Sequence, residues 1–278
     1  MLTKKNAGFT LLEMLAVITI IALIVGGIFT GRSMIRNAQM QNVLTEYQQY
    51  STAIKSFQSK YQAMPGDYAS AATTFGAATC TASIATAAPT GTLSCNGNGD
   101  GYIAMDSMFE HIAAWRQLGV SGFISGNYSG MATTGDCATN MNIKVGENIP
   151  ASKLNAAGWN IAVSTYNATS YSTGNAGVYI PMSLAIDHAK EHFLRVGGAL
   201  QDDAGIDCAQ SQVPVLTAEE AYQIDLKNDD GAVTTGRIRG MFNNTPTLYN
   251  SCNSGAAATG GYNITAAGMN CALAFILD

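Results

Sequence analysis

The hydrophobic pattern divides the chain into three parts. From Phe9 to Phe29 nearly every residue is apolar, FTLLEMLAVITIIALIVGGIF, and Glu13 is the single charge. At about 1.5 Å rise per residue this run is long enough to cross the roughly 30 Å hydrocarbon core of a bilayer. A carboxylate at that depth needs a partner or a protein interior. Further on the continuous run gives way to a stripe. Val43, Tyr47, Tyr50, Ile54, Phe57 and Tyr61 recur at helical spacing, with Gln48 between them and Gln39, Gln41 and Asn42 just before. Such a stripe is one face of an α-helix. No proline interrupts residues 9–64, so the two patterns predict one helix to about residue 62, its outer half lying against a head domain. Gly26, Gly27 and Gly31 weaken it locally, each by about 1 kcal/mol relative to alanine, and are where it is expected to melt if subunits assemble. Met64-Pro65-Gly66-Asp67 stops it.

The third part, residues 65–278, alternates short patterned pieces with turn residues. Residues 69–95 are rich in Ala, Thr and Ser and read as a loop. Ser107-x-x-Glu110 is a capping box. It opens a helix with Met108, Ile112 and Trp115 on one face and Gly119 at its end. Thr217-x-x-Glu220 is a second capping box, for a helix that leans on the head through Ala221, Ile224 and either Leu226 or Asn228 and stops at Gly231. Strand-like pieces fall at residues 122–124, 159–163, 177–180, 193–198, 236–242 and 271–277. The expected fold class is α+β: one long N-terminal helix whose outer half packs on an antiparallel sheet.

Composition narrows the function classes. Charged residues make up 12% of the chain and the net charge is −5. No basic stripe follows the first residues, which argues against a nucleic-acid binder. With 29 glycines, the head reads as a loop-rich exported domain. All six cysteines follow the apolar run, and in an oxidising compartment they favour disulfides. Proximity pairs Cys80 with Cys95 and Cys252 with Cys271, leaving Cys137 with Cys208. No CxxC spacing points to zinc, and no nucleophile–base pair or phosphate loop stands out.

Three groups could carry chemistry. Asn96, Asn98 and Asp100 alternate with glycines in NGNGDG, like the start of a calcium loop. Ser107 occupies the twelfth position where such a loop needs Glu, so the first reading is a glycine-rich turn. Asp225, Asp229 and Asp230 crowd one helix end, with Arg237 and Arg239 following. Carboxylates this close repel unless neutralised, so the choice is an Arg–Asp network or, as the lesser option, a calcium site. His188-Ala189-Lys190-Glu191-His192 fits a zinc-peptidase pattern. On a helix its two histidines would share a face, but surface histidines are the first reading. His111 is expected on a helix surface.

The segment before the apolar run gives the strongest pointer. Met1–Gly8, MLTKKNAG, carries Lys4 and Lys5 and has no apolar core. A secretory signal is cut after its apolar run, at small residues; here the Gly8-Phe9 junction comes before it. Basic leader, glycine, then Phe9-Thr10-Leu11-Leu12-Glu13 and an apolar helix resemble the prepilin signal of type IV pilins and type II secretion pseudopilins. The resemblance implies a leader over residues 1–8, cut by prepilin peptidase between Gly8 and Phe9, and N-methylation of Phe9. It implies that Glu13 pairs with the new amine of a neighbouring subunit. It further implies a helix over 9–64, a periplasmic or extracellular head over 65–278, and a pilin fold. The partners implied are further copies in a helical filament and an inner-membrane assembly platform. Thr30 stands near where many of that family have a proline. The Cys252–Cys271 region is similar to their disulfide-bounded C-terminus, and the large head would suit an adhesive or minor subunit. Some pseudopilins bind calcium, but their ligands do not map cleanly here. The rivals are a tethered metalloenzyme using His188 and His192, and a DNA-binding competence pilin that the acidic charge disfavours.

Overall fold

The absence of proline before Pro65 has the expected consequence. The structure, a computed structural model, carries one helix, α1, from Leu11 to Tyr61. It describes residues 10–76, 94–103, 110–130, 143–163, 178–179, 191–199, 211–243, 252–253 and 260–277. The chain divides into two units, residues 1–41 and residues 42–278. In the first unit the helix is unbroken through Gly26, Gly27 and Gly31, where an added side chain would meet nothing within 4 Å. The Thr30 hydroxyl donates to the Gly26 carbonyl at 3.1 Å. The helix closes at Gln62, whose φ is 54° and whose amide donates to the Gln58 carbonyl.

The second unit joins the outer part of α1 to the head. Its further elements are α2 (Ala71–Phe75), α3 (Glu110–Val120), β1 (Gly158–Val163), β2 (Val178–Tyr179), β3 (His192–Ala199), β4 (Ser211–Val213), α4 (Ala218–Asn228), β5 (Ile238–Gly240), β6 (Phe242–Asn243) and β7 (Leu273–Ile276). The main sheet runs β1-β3-β7-β5, with β4 pairing to the end of β3, and β2 pairs separately with β6. Every one of these pairings is antiparallel. The architecture is therefore α+β, with a long apolar N-terminal helix and an antiparallel sheet.

Register explains what the helix packs on. Ile161, Leu194, Phe275 and Ile238 lie opposite one another across four strands, so their side chains share one sheet face. Tyr47 stacks on Phe275 with ring centroids 4.8 Å apart, and its hydroxyl donates to the Ile276 carbonyl at 2.9 Å. Tyr50 meets the edges of Trp115 and Trp159. Phe57 is fully buried against Tyr61, Tyr68, Phe75 and Phe123. Burying one such ring stabilises by about 1.5–3 kcal/mol. The predicted stripe is thus the packing face.

One member of that face did not belong to the apolar pattern. Glu46 is buried, and its carboxylate accepts from the Ser152 hydroxyl at 2.6 Å, the Lys153 amide at 2.8 Å and the Trp159 indole N–H at 2.8 Å. Three donors, two from the segment before β1 and one from β1 itself, therefore converge on one helix side chain. Such a charge is tolerated inside because hydrogen bonds replace its lost hydration.

Several expectations need correction. His111 is fully buried, because α3 is buried along Glu110–Leu118 and takes its polar groups inside with it. Gln117, for instance, accepts from the Gly66 amide at 2.7 Å and donates to the Cys95 carbonyl at 3.1 Å. Gly119 does not end α3; the helix runs to Val120 and turns at Gly122, with φ 78°. The amides of Phe123 and Ile124 bond back to the Leu118 carbonyl, so residues 122–124 close the helix and form no strand. Leu226 is 48% exposed, and Asp225 is buried beside Ile224 instead. Ser107 and Met108 lie outside the described residues.

Glu46→Ala would leave three buried donors without their acceptor. It should lower stability by roughly 3 kcal/mol and the melting temperature of the full chain in detergent by about 10 °C. Glu46→Gln keeps one carbonyl oxygen and should lose less. Calorimetry of both variants checks this, and an unchanged melting temperature for Glu46→Ala would contradict the role given to the carboxylate.

Candidate functional site

Thr10 and Glu13 build the start of α1 together. The Thr10 amide and hydroxyl both donate to Glu13 Oε2 at 2.8 Å. The Glu13 amide donates back to the Thr10 hydroxyl at 3.3 Å. This is a reciprocal capping box, which satisfies orphan donors of the first turn. The T-x-x-E spacing that announced a helix at Thr217 was present here too, and could have found it. Gly8 and Phe9 lie outside the described residues. Behind the cap the apolar side chains are exposed within their unit, Leu11 by 85% and Leu23 by 77%. By length and composition this helix can cross a membrane: its most apolar window has a mean hydropathy of 2.6 and is not buried at all. Leaving that much apolar surface in water is unfavourable.

In the head, the structure brings Asp225, Asp229 and Asp230 together, with carboxylate oxygens within 4.8 Å of one another. The capping box at Thr217 places them by fixing the start of α4. Asp225 is buried and accepts from the Tyr262 hydroxyl at 2.8 Å and the Gly231 amide at 3.1 Å. Asp229 accepts from the Arg237 and Ile238 amides. Asp230 accepts from the Ala232 amide and the Thr235 hydroxyl. Gly236 has φ 71°, and a side chain there would collide with the Asp229 carboxylate. The segment 231–238 therefore wraps the helix end with its own N–H groups. Arg237 contributes its backbone amide to Asp229, and the Arg239 side chain donates to the Gly236 carbonyl at 3.0 Å. Burial pushes Asp225 up to about 6; the Tyr262 and Gly231 hydrogen bonds oppose this, and the Asp230 and Asp229 charges add to it.

The NGNGDG loop has the opposite polarity to a cation site. Gly99 and Asp100 donate their amides to Asp67 Oδ1 at 2.6 and 3.0 Å, and Gly101 donates to Asp67 Oδ2 at 2.8 Å. N–H groups, not oxygens, converge at its centre. The side-chain oxygens expected to bind calcium are engaged elsewhere. Asn96 accepts from the Ala72 amide, Asn98 from the Asp100 amide, and Asp100 from the Tyr102 amide and the Asn98 side chain. Asp67 went unnoticed in the sequence because its partners lie some thirty residues away.

His192 opens strand β3 and does not lie on a helix. Its Nε2 accepts from the Ile103 amide at 3.3 Å, and burial pushes its pKa down to about 4. His188 lies outside the described residues, as do Cys80, Cys137 and Cys208. Cys252 and Cys271 are bonded, with Cα atoms 4.8 Å apart. Cys95 is also disulfide-bonded.

Comparison with known proteins bears on the N-terminal site. Residues 3–29 match the prokaryotic N-terminal methylation motif, the signal of type IV pilins and pseudopilins. No curated protein and no solved structure matches the chain. The matched motif is that of a processed structural subunit, and with the long apolar helix it fits a precursor anchored in the inner membrane.

Asp225 gives a pH signature. Its folded pKa of about 6 lies above the ordinary 3.8, so the folded chain holds this proton more tightly than the unfolded chain. Its contribution is complete below about pH 4, falls as pH rises to about 6, and is lost above. Subtracting Asp225→Asn from wild type in urea melts across that window should isolate this fall; a flat difference would contradict it. A cation on the three carboxylates would draw Asp225 back toward its ordinary range. The same titration with and without calcium therefore reads occupancy.

Proposed function

We propose that this chain is a filament subunit of the type IV pilus or type II secretion pseudopilus kind, made as an inner-membrane precursor. The observation that carries the reading is the methylation motif at residues 3–29, continuous with a capped helix whose apolar side chains are uncovered in their own unit. Prepilin peptidase cuts between Gly8 and Phe9 and methylates Phe9. Among neighbouring helices, the Phe9 ammonium of one subunit meets Glu13 of another. Each charge then has its opposite, which removes the main obstacle to burying either. The contact is head-to-tail and does not close, so copies add into a helical filament on an assembly platform in the inner membrane. The large head suits a minor or adhesive subunit.

The metalloenzyme alternative is weakened by His192, which sits on a strand with its Nε2 accepting a backbone amide. The acidic balance, −5, disfavours the DNA-binding alternative.

Glu13→Ala should still be processed but should yield no sheared filament by immunoblot, while Gly8→Leu should accumulate as uncut precursor. Wild-type filament yield from Glu13→Ala would overturn the reading. Immunogold labelling places the filament: surface fibres mark a pilus, and a periplasmic signal marks a pseudopilus.

A further inference from the structure

The chain contains four Asn-Gly or Asp-Gly pairs: Asn96-Gly97, Asn98-Gly99, Asp100-Gly101 and Asp230-Gly231. Glycine after Asn or Asp leaves the following amide nitrogen unhindered. That nitrogen can attack the side-chain carbonyl carbon of the preceding residue. At Asn98 the new bond joins Gly99 N to Asn98 Cγ, the Cγ–Nδ2 bond breaks, and the amide proton passes through solvent to the leaving ammonia. Water then opens the cyclic imide on either side, giving aspartate or isoaspartate. At Asp100 and Asp230 the leaving group is water, and the product is the isomerised chain. Asparagine is for this reason among the thermolabile residues.

The loop cannot avoid these glycines. A side chain at Gly97 would collide with the backbone of Gly66 and Asp67, and Gly99 and Gly101 have φ of 76° and 88°. Asn96, Asn98 and Asp100 are themselves exposed. Yet each nitrogen that would attack is occupied. Gly97 N donates to the Tyr68 carbonyl at 3.1 Å. Gly99 N donates to Asp67 Oδ1 at 2.6 Å and to the Asp67 carbonyl at 3.1 Å. Gly101 N donates to Asp67 Oδ2 at 2.8 Å, and Gly231 N to Asp225 Oδ1 at 3.1 Å. Asp67 is only 2% exposed, so its carboxylate is held in place inside the ring of amides.

We propose that Asp67 guards a latent self-modification site, blocking succinimide formation at Asn98-Gly99 and Asp100-Gly101 by holding both glycine nitrogens, as Asp225 does at Asp230-Gly231. A carboxylate acceptor opposes loss of the amide proton and fixes the nitrogen away from its neighbour's side chain. The inference is independent of the filament reading, since it concerns chemistry within the head alone.

The test is peptide mapping with isoaspartate detection on the full chain in detergent, aged at neutral pH. Wild type should modify Asn98-Gly99 at least about tenfold more slowly when folded than in urea, the scale set by one charge-assisted hydrogen bond. Asp67→Asn should raise the folded rate at Asn98-Gly99 and Asp100-Gly101 by a similar factor and leave Asp230-Gly231 unchanged. That unaffected pair separates loss of the guard from general unfolding, which would raise all sites together. If the variant unfolds, the wild-type comparison decides alone. Equal folded and urea rates in wild type, or a slower loop rate in folded Asp67→Asn, would overturn the proposal; the second result would make Asp67 a base that promotes the attack.

Discussion

The apolar side chains from Leu11 to Phe29 have to leave water, and among the described residues of their own unit nothing covers them. A bilayer can take them in, and so can a bundle of like helices. What differs is the treatment of Glu13. In lipid its carboxylate is a liability. Among copies that each carry a free N-terminal ammonium it has a complement. The capping box shows a third condition, in which Thr10 holds the same carboxylate on the helix end before any neighbour arrives. On the assembly proposed above, one set of donors would be exchanged for another, and the acid would not pass through an unpaired state.

The outer part of α1 is held by different means. There the helix is a structural wall of the head, fixed by aromatic contacts from Tyr47, Tyr50 and Phe57 and by the Glu46 carboxylate with its three donors. Two further carboxylate centres, one single and one a cluster of three, work similarly elsewhere. Asp67 gathers the 99–101 amides, and the trio at 225–230 gathers those of 231–238. In a chain with few charges, Glu46 and these aspartates, buried at Glu46, Asp67 and Asp225, act as local centres that N–H groups wrap. This satisfies backbone donors that no sheet or helix reaches.

What the sequence made legible follows the range of the interactions involved. The helix, its stripe, the α4 capping box and strands β1, β3 and β7 depend on neighbours a few residues apart, and periodicity reports those directly. The leader motif is local as well. Glu46 and Asp67 were missed because their partners lie about a hundred and about thirty residues away. His111 was misplaced because α3 is buried on all sides, and an all-round buried helix has no polar face to read. Asn96, Asn98 and Asp100 suggested a cation loop by composition; backbone direction, which composition does not carry, turned donors inward instead. The strand β4 has only three residues, Ser211–Val213, too few for alternation to register.

The most direct measurement is intact-mass and N-terminal peptide analysis of the protein recovered from the cell envelope. The account predicts a chain that begins at Phe9 and carries one methyl group on its amine. Material that keeps Met1–Gly8, with an internal and unmodified Phe9, would contradict it, because Phe9 would then carry no ammonium to meet Glu13.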